Sequence, residues 1–203
     1  LFDENKYNVA YYMPRLDREI PVLNRNGCFL PFGMLDMLPE MIPGDRFFVR
    51  PNSGLKTFPG QVLDLSNPTT IKVTQKTYHI PSETLCWCSP EKYVDPTEWR
   101  VWINRGEVLA WTPYSWDQEP EWSPLPESVR NIAEAMSKNP WQPDLAYVVD
   151  VGVSNGDAFL MELNAASTSG LYNVPLFDLL KGLRETCILE AQGVVYYEEF
   201  SPM

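Results

Sequence analysis

Glu162 and Asn164 stand two residues apart in YVVDVGVSNGDAFLMELNAASTSGLY, the stretch from Tyr147 to Tyr172. Side chains alternate along a strand, so these two share one face while Met161 and Leu163 take the other. A carboxylate beside an amide carbonyl is a pair of hard oxygen ligands, the kind Mg²⁺ takes together with phosphate oxygens. Asp150, on the preceding apolar run, joins them in only one register. A two-residue Asn155-Gly156 turn sets Asp150 opposite Met161, facing away from Glu162. A three-residue Asn155-Gly156-Asp157 loop, or an equivalent bulge, sets it directly across from Glu162. The alternative is that Glu162 and Asn164 mark only the solvent face of an edge hairpin, because one-sided polar alternation is normal in antiparallel pairs.

Two cationic features lie upstream. In FFVRPNSGLKTFPG, Arg50 ends a hydrophobic run, and a loop with Gly54, Lys56 and Gly60 follows. A cation at a strand end, beside exposed backbone amides, suits phosphate charge. The spacing is not that of a Walker loop, which ends in Gly-Lys-Ser/Thr before a helix. An ordinary hairpin loop with a surface lysine is the competing account. In TEWRVWI, Arg100 is flanked by Trp99, Val101 and Trp102. An arginine in so apolar a strand needs an anionic partner, which is either a ligand or an internal salt bridge to Glu98 or Asp150.

The elements that must hold these residues are mostly strands. Residues 1–45 read as irregular, with a short helix near Met34–Leu38. DRFFVRP reads as a strand, QVLDL and TIKVTQ as short strands or helix edges, and TLCWCS as a buried strand. EWRVWINRGEVLAWTPYSW alternates around NRGE and reads as a hairpin with glycine at its turn. DQEPEWSPLPE is a surface loop whose acids, Asp117 to Glu121, either favour a cationic substrate or partner or are simply solvated. SVRNIAEAMSKN carries Val129, Ile132, Ala133 and Met136 at helical spacing and stops at Pro140. VPLFDLLKGLRETCILE reads as a helix. The class is α+β, divided into a phosphate-loop part over 1–90 and a second part with the metal strand over 91–203.

Composition narrows the function. With 203 residues the chain suffices for one large domain or two tightly joined subdomains. A net charge of −11 argues against an extended nucleic-acid surface, which rests on clustered Lys and Arg, but not against a small basic nucleotide pocket. His79 is the only histidine, so a multi-histidine metal site within the chain is excluded. Cys28, Cys86, Cys88 and Cys187 show no paired CxxC spacing and read as free thiols of a reducing cytoplasm. No run approaches the ~20 apolar residues of a membrane span, and no signal-peptide pattern opens the sequence, which starts at Leu1.

In this order the pieces resemble the ATP-grasp ligases: FFVRPNSGLKTFPG, then EWRVWINRGEV, then VVDVG…MELN. The wording, with the later SGLY, is most similar to a phage and bacterial branch marked by a signature arginine and lysines. The likeness covers roughly residues 45–180. Most of the superfamily has lysine where Arg50 stands, and a proline-containing ending where AASTSG follows the asparagine.

That resemblance implies two α+β subdomains with the nucleotide site between their antiparallel sheets. It implies Arg50 and Lys56 on the α- and β-phosphates, with the loop around Gly54 closing over them. The segment CWCSPEKYV would be the hinge, with backbone groups near Trp87, Cys88 and Ser89 facing adenine and Glu91 facing ribose. Arg100 would lie near the γ-phosphate, with Arg100 and Lys56 as the catalytic cations. Asp150, Glu162 and Asn164 would hold Mg²⁺. Ser167, Thr168 and Ser169, with Tyr114 and Tyr172, are the candidates for substrate. The implied reaction joins a carboxylate to an amine through an acyl-phosphate, with ATP and Mg²⁺ as cofactors and a small molecule or peptide as substrate. The implied setting is the cytoplasm (a host's, if phage-encoded). The alternatives are a non-catalytic nucleotide-binding interaction module and an RNA-repair or RNA-modifying enzyme.

Overall fold

A computed structural model of the chain describes residues 3–115 and 120–193. It divides into two compact units. The first holds Glu4–Met13 and Asn24–Tyr93; the second holds Asp3, Pro14–Leu23 and the described residues from Val94 on. Residues 117–119 of the acidic loop lie outside the described residues.

The first unit contains α1 (Val9–Tyr12), β1 (Cys28–Pro31) and a 3-10 turn, Phe32–Met37, that runs into α2 (Leu38–Met41). Then come β2 (Arg46–Pro51), β3 (Gln61–Asp64), α3 (Thr70–Tyr78) and β4 (Leu85–Pro90). Its strands form one antiparallel sheet in the order β1-β4-β2-β3. Leu30, Phe47, Val49, Leu63, Cys86 and Cys88 share a core with Phe32, Leu35, Leu38, Phe58 and Ile80. Alternation therefore turns Phe48, Arg50, Trp87 and Ser89 to the opposite face.

TIKVTQ is not a strand; it opens the nine-residue α3. Its β-branched residues read as a strand by propensity, yet packing decides otherwise. Ile71 reaches the core and Thr74, three residues on, is buried, which is helical spacing. His79, at φ 52°, ends the helix in the left-handed conformation.

Burial pushes the Cys86 thiol up to about 12, and the Cys88 thiol up as well. Cys187 is exposed. A maleimide at neutral pH is therefore expected to label Cys187 first, and Cys86 and Cys88 only after unfolding, as mass spectrometry of timed aliquots would read out. Early labelling of Cys88 would contradict this core. A second expectation concerns Gly27, where a Cβ would lie 2.6 Å from the Cys88 carbonyl oxygen and from the Trp87 ring. Gly27→Ala should lower stability by about 1–3 kcal/mol in urea unfolding, because a strand carbonyl cannot yield as a side chain can.

The second unit contains β5 (Thr97–Asn104), β6 (Glu107–Ser115), α4 (Glu127–Ser137), β7 (Ala146–Ser154), β8 (Asp157–Ala165) and α5 (Leu176–Ala191). Its antiparallel sheet runs β6-β5-β7-β8. The β7–β8 hairpin closes through Asn155 and Gly156, both at positive φ (52° and 89°), as a primed two-residue turn requires.

One face of this sheet carries α4, whose Val129, Ile132, Ala133 and Met136 are buried and whose Met136 carbonyl accepts the Tyr147 hydroxyl at 3.0 Å. The other face carries α5, where Leu179 packs with Trp102, Ala110 and Val148. Asn104 of β5 ties α5 to the sheet, donating to the Gly182 carbonyl and accepting from the Thr186 hydroxyl. Two residues along each strand, on the α5 face, stand Arg100 and Asp150. Among the described residues, no helix is long and apolar enough to cross a membrane.

Candidate functional site

Arg50, one residue before the end of β2, stands directly opposite Trp87 of β4 and is 6% exposed. Trp87 in turn lies against Phe29, with ring centroids 4.6 Å apart. The loop after β2 is tethered to α1. Asn52 accepts from Val9 N through its carbonyl and from Ala10 N through its side chain, while Asn8 Oδ1 accepts from Gly54 N at 2.9 Å. Lys56 follows, exposed and at φ 49°.

The hinge candidates fall on a central strand. Cys88 pairs with Cys28 on one side and Val49 on the other, and its side chain faces the core. Trp87 is flanked on both sides too, whereas Ser89 lies beyond the last pair with β1. Glu91 is gripped by Arg46 through both carboxylate oxygens, at 2.5 and 2.9 Å, so a ribose hydroxyl would compete with that pair.

In the second unit, register decides the arrangement. The hairpin has the even, two-residue turn, which alone would turn Asp150 away from Glu162. A bulge corrects it: Asp150 pairs with Glu162 but Val151 pairs with Leu160, leaving Met161 as the extra residue. Gly152 leaves room for it, since a Cβ there would sit 3.0 Å from Met161 Sδ. Asp150 is thus brought beside Glu162 and Asn164, and directly across β5 from Arg100.

Arg100 and Asp150 form a two-pronged ion pair. Nε donates to Oδ1 at 2.8 Å and Nη2 to Oδ2 at 2.7 Å, with Arg100 7% and Asp150 0% exposed. Of the two acids considered for Arg100, the internal partner is therefore Asp150. Nη1 donates to the Gly170 carbonyl at 3.3 Å. The guanidinium carbon lies 5.2 and 5.1 Å from the ring centroids of Tyr114 and Tyr172, which stack on each other at 4.8 Å. Burial drives the Asp150 carboxyl up, against the opposing pull of the Arg100 hydrogen bonds and charge; both its oxygens accept from the guanidinium, the arrangement of an ion pair. Burial disfavours the charge on Arg100, but Asp150 outweighs it and the guanidinium stays ionised. The Tyr114 phenol is pushed far up by burial first and by neighbouring carboxylates second. It stays protonated and donates to Glu98 Oε2 at 2.6 Å.

Asn164 completes the cluster. Its Nδ2 donates to Asp150 Oδ2 at 2.9 Å and to Glu162 Oε1 at 3.0 Å. Two anionic oxygens thus converge on one point beside an amide, and rotating that amide would bring its oxygen to the same place. The donor set fits a hard divalent cation. It is lean, because among the described residues no three His, Cys, Asp or Glu side chains converge as a metal cluster.

The substrate candidates separate. Ser169 Oγ donates to the Ala165 carbonyl at 2.8 Å, and Thr168 Oγ1 reaches the same oxygen at 3.5 Å. Ser167 instead lines a cavity of ≈ 420 Å³ with Ala146, Ala166, Leu183 and Glu190. Tyr114 is buried and acts on Arg100 and Glu98, while Tyr172 is 51% exposed.

A family model described as an ATP-grasp domain, family 3 of its clade, matches residues 12–183. The chain belongs to this ATP-grasp family. Its two antiparallel four-stranded sheets with helices are the ATP-grasp fold, and solved ATP-grasp structures share it. One is the ATP-grasp ligase PsnB complexed with minimal precursor, at 12% identity and TM-score 0.59, covering 90% of this chain and 60% of that one. A second is the D-cycloserine synthetase DcsG, at 14% and 0.58, covering 86% and 68%. A third is D-alanine–D-alanine ligase from Bacillus anthracis complexed with ATP, at 19% and 0.51, covering 89% and 59%. These neighbours are ligases, and at such identities the likeness is one of fold. The chain spans 50% to 60% of the length of these PsnB chains. No curated protein matches it.

Two groups of this cluster received no functional role from the sequence. Glu98, considered only as a salt-bridge partner, receives the Tyr114 hydroxyl; its place two residues before Arg100 on one strand was the available signal. The Gly170 carbonyl on Arg100 had none, because a backbone contact from a loop leaves no mark in residue type.

Proposed function

We propose that the chain is an ATP- and Mg²⁺-dependent ligase that joins a carboxylate to an amine through an acyl-phosphate, releasing ADP and phosphate. The observation that carries this reading is the α5 face of the second sheet. It sets a buried, pre-oriented arginine, Arg100, within one side chain of the Glu162 carboxylate and the Asn164 amide.

Arg100 would meet the γ-phosphate. A guanidinium has five N–H donors; its bonds to Asp150 and Gly170 leave an N–H on each terminal nitrogen for a phosphoryl oxygen. Holding that charge where it develops, without reorganisation, is the main work of a phosphoryl-transfer site. Glu162 and Asn164 would hold Mg²⁺, with Asp150 beside them, and the bound ion would offset charge on the transferring phosphoryl group. In the first unit, Arg50 and Lys56 would take the α- and β-phosphates, with the amides around Gly54. Adenine would lie near the Trp87–Ser89 backbone, where Ser89 stands beyond the last pair with β1. Ser167, at its cavity, is the preferred substrate contact of the three hydroxyls. The neighbours' names point to amino-acid or peptide substrates, and we take the acceptor to be of that class.

Incubation with labelled ATP, Mg²⁺ and pools of amino acids or peptides tests the reading. Acceptor-dependent ADP formation supports it. AMP formation would redirect it to adenylyl transfer, as in an RNA-modifying enzyme, and tight ATP binding without turnover would leave an interaction module.

A further inference from the structure

We infer that Asp150 is a positioning residue for Arg100 and contributes no oxygen to the cation, which Glu162 and Asn164 hold. This rests on the ligase reading above and refines the role of one residue within it. Asp150 is 0% exposed, while Glu162 and Asn164 are each half-buried at the rim of the same face. Oδ1 accepts Arg100 Nε; Oδ2 accepts both Arg100 Nη2 and Asn164 Nδ2. An incoming ion that used Oδ2 would have to break a charge-assisted bond of 2.7 Å and share that oxygen with a cationic guanidinium. At Glu162, rotation of the Asn164 amide turns that amide's own oxygen toward the ion and releases Oε1 from the amide N–H, and the Asn164 bond given up there is to a neutral amide, not to a cationic guanidinium as at Asp150.

The sheet enforces this division. Arg100 and Asp150 are direct partners across β5 and β7, so a two-pronged pair forms at their own registered positions without a change of strand geometry. Arg100 is held on its other side by the Gly170 carbonyl and by Tyr114, itself fixed by Glu98. Without Asp150, the guanidinium loses the partner that sets its plane.

The test uses the full chain holding a non-hydrolysable ATP analogue at saturation. Mn²⁺ held by the protein is followed through water-proton relaxation, and analogue affinity is measured separately. Glu162→Gln should weaken Mn²⁺ by about 10–100-fold. Asp150→Asn should leave Mn²⁺ within about threefold of the parent, while weakening the analogue as much as Arg100→Leu does. Arg100→Leu/Asp150→Leu, an apolar replacement of the whole pair, should bind the analogue no worse than either single variant, and it keeps the test open if Asp150→Asn does not fold. Loss of Mn²⁺ in Asp150→Asn or in the double variant to the extent seen in Glu162→Gln overturns the inference alone. A parent protein that binds neither the analogue nor Mn²⁺ overturns the ligase reading, and the inference with it.

Discussion

Glu162→Gln is expected to leave the chain folded and to lower Mg²⁺-dependent ADP formation by about 100-fold or more. The substitution keeps the shape of the side chain and removes only its charge. Glu162 is half-buried at the open side of the cluster, so water can reach the neutral amide that replaces it. What disappears is the anionic oxygen next to Asn164 on which the proposed metal site depends. Unfolding by circular dichroism should match the parent, and raising Mg²⁺ should recover part of the rate. Unchanged turnover at limiting Mg²⁺ would remove Glu162 from the metal site.

Arg100→Leu should do the opposite, acting on stability as well as on turnover. It leaves Asp150 fully buried beside Glu162 without the guanidinium that balances it. Breaking one side of a buried pair costs about 3–5 kcal/mol, whereas replacing both partners by apolar groups is often neutral. The expected pattern in urea unfolding is therefore a large loss for Arg100→Leu and recovery of most of it in Arg100→Leu/Asp150→Leu. A double variant as unstable as the single one would mean that packing around Arg100, not the uncompensated carboxylate, sets the cost. Activity should stay lost in both, which separates the stabilising role of the pair from the phosphate-binding role of the arginine.

The sequence made the hairpins legible because a period of two survives local accident. EWRVWINRGEVLAWTPYS and YVVDVGVSNGDAFLMELNA fold as the hairpins to which their alternation and glycine turns point, each with one break in register. The helix at Val129–Met136 was equally clear from its apolar spacing. α3 was not, because Thr, Ile and Val along TIKVTQ carry strand propensity while a tertiary contact at Ile71 selects the helix. In the site, the face shared by Glu162 and Asn164 followed from alternation alone. The place of Asp150 did not, because it depends on a bulge, and the residue that bulges looks like any other apolar strand residue. The grip of Arg46 on Glu91 was also invisible, since those residues meet only across a strand pairing.

The Met161 bulge has a consequence for how this hairpin tolerates change. It works as a one-residue phase shifter placed between the tip and the chemistry. The tip keeps its low-strain turn, and parity is corrected further down the ladder. Lengthening the tip by a matched pair of residues, one on each strand, preserves the phase. Deleting Met161 alone would leave Val151 opposite Leu160 and Asp150 opposite Glu162 as neighbouring pairs of an unbroken ladder, so the two acids would still face each other. What the site depends on is thus that Met161 stays out of the pairing: drawn into a regular ladder from the two-residue turn, it would take the place opposite Asp150 and turn Glu162 to the other face.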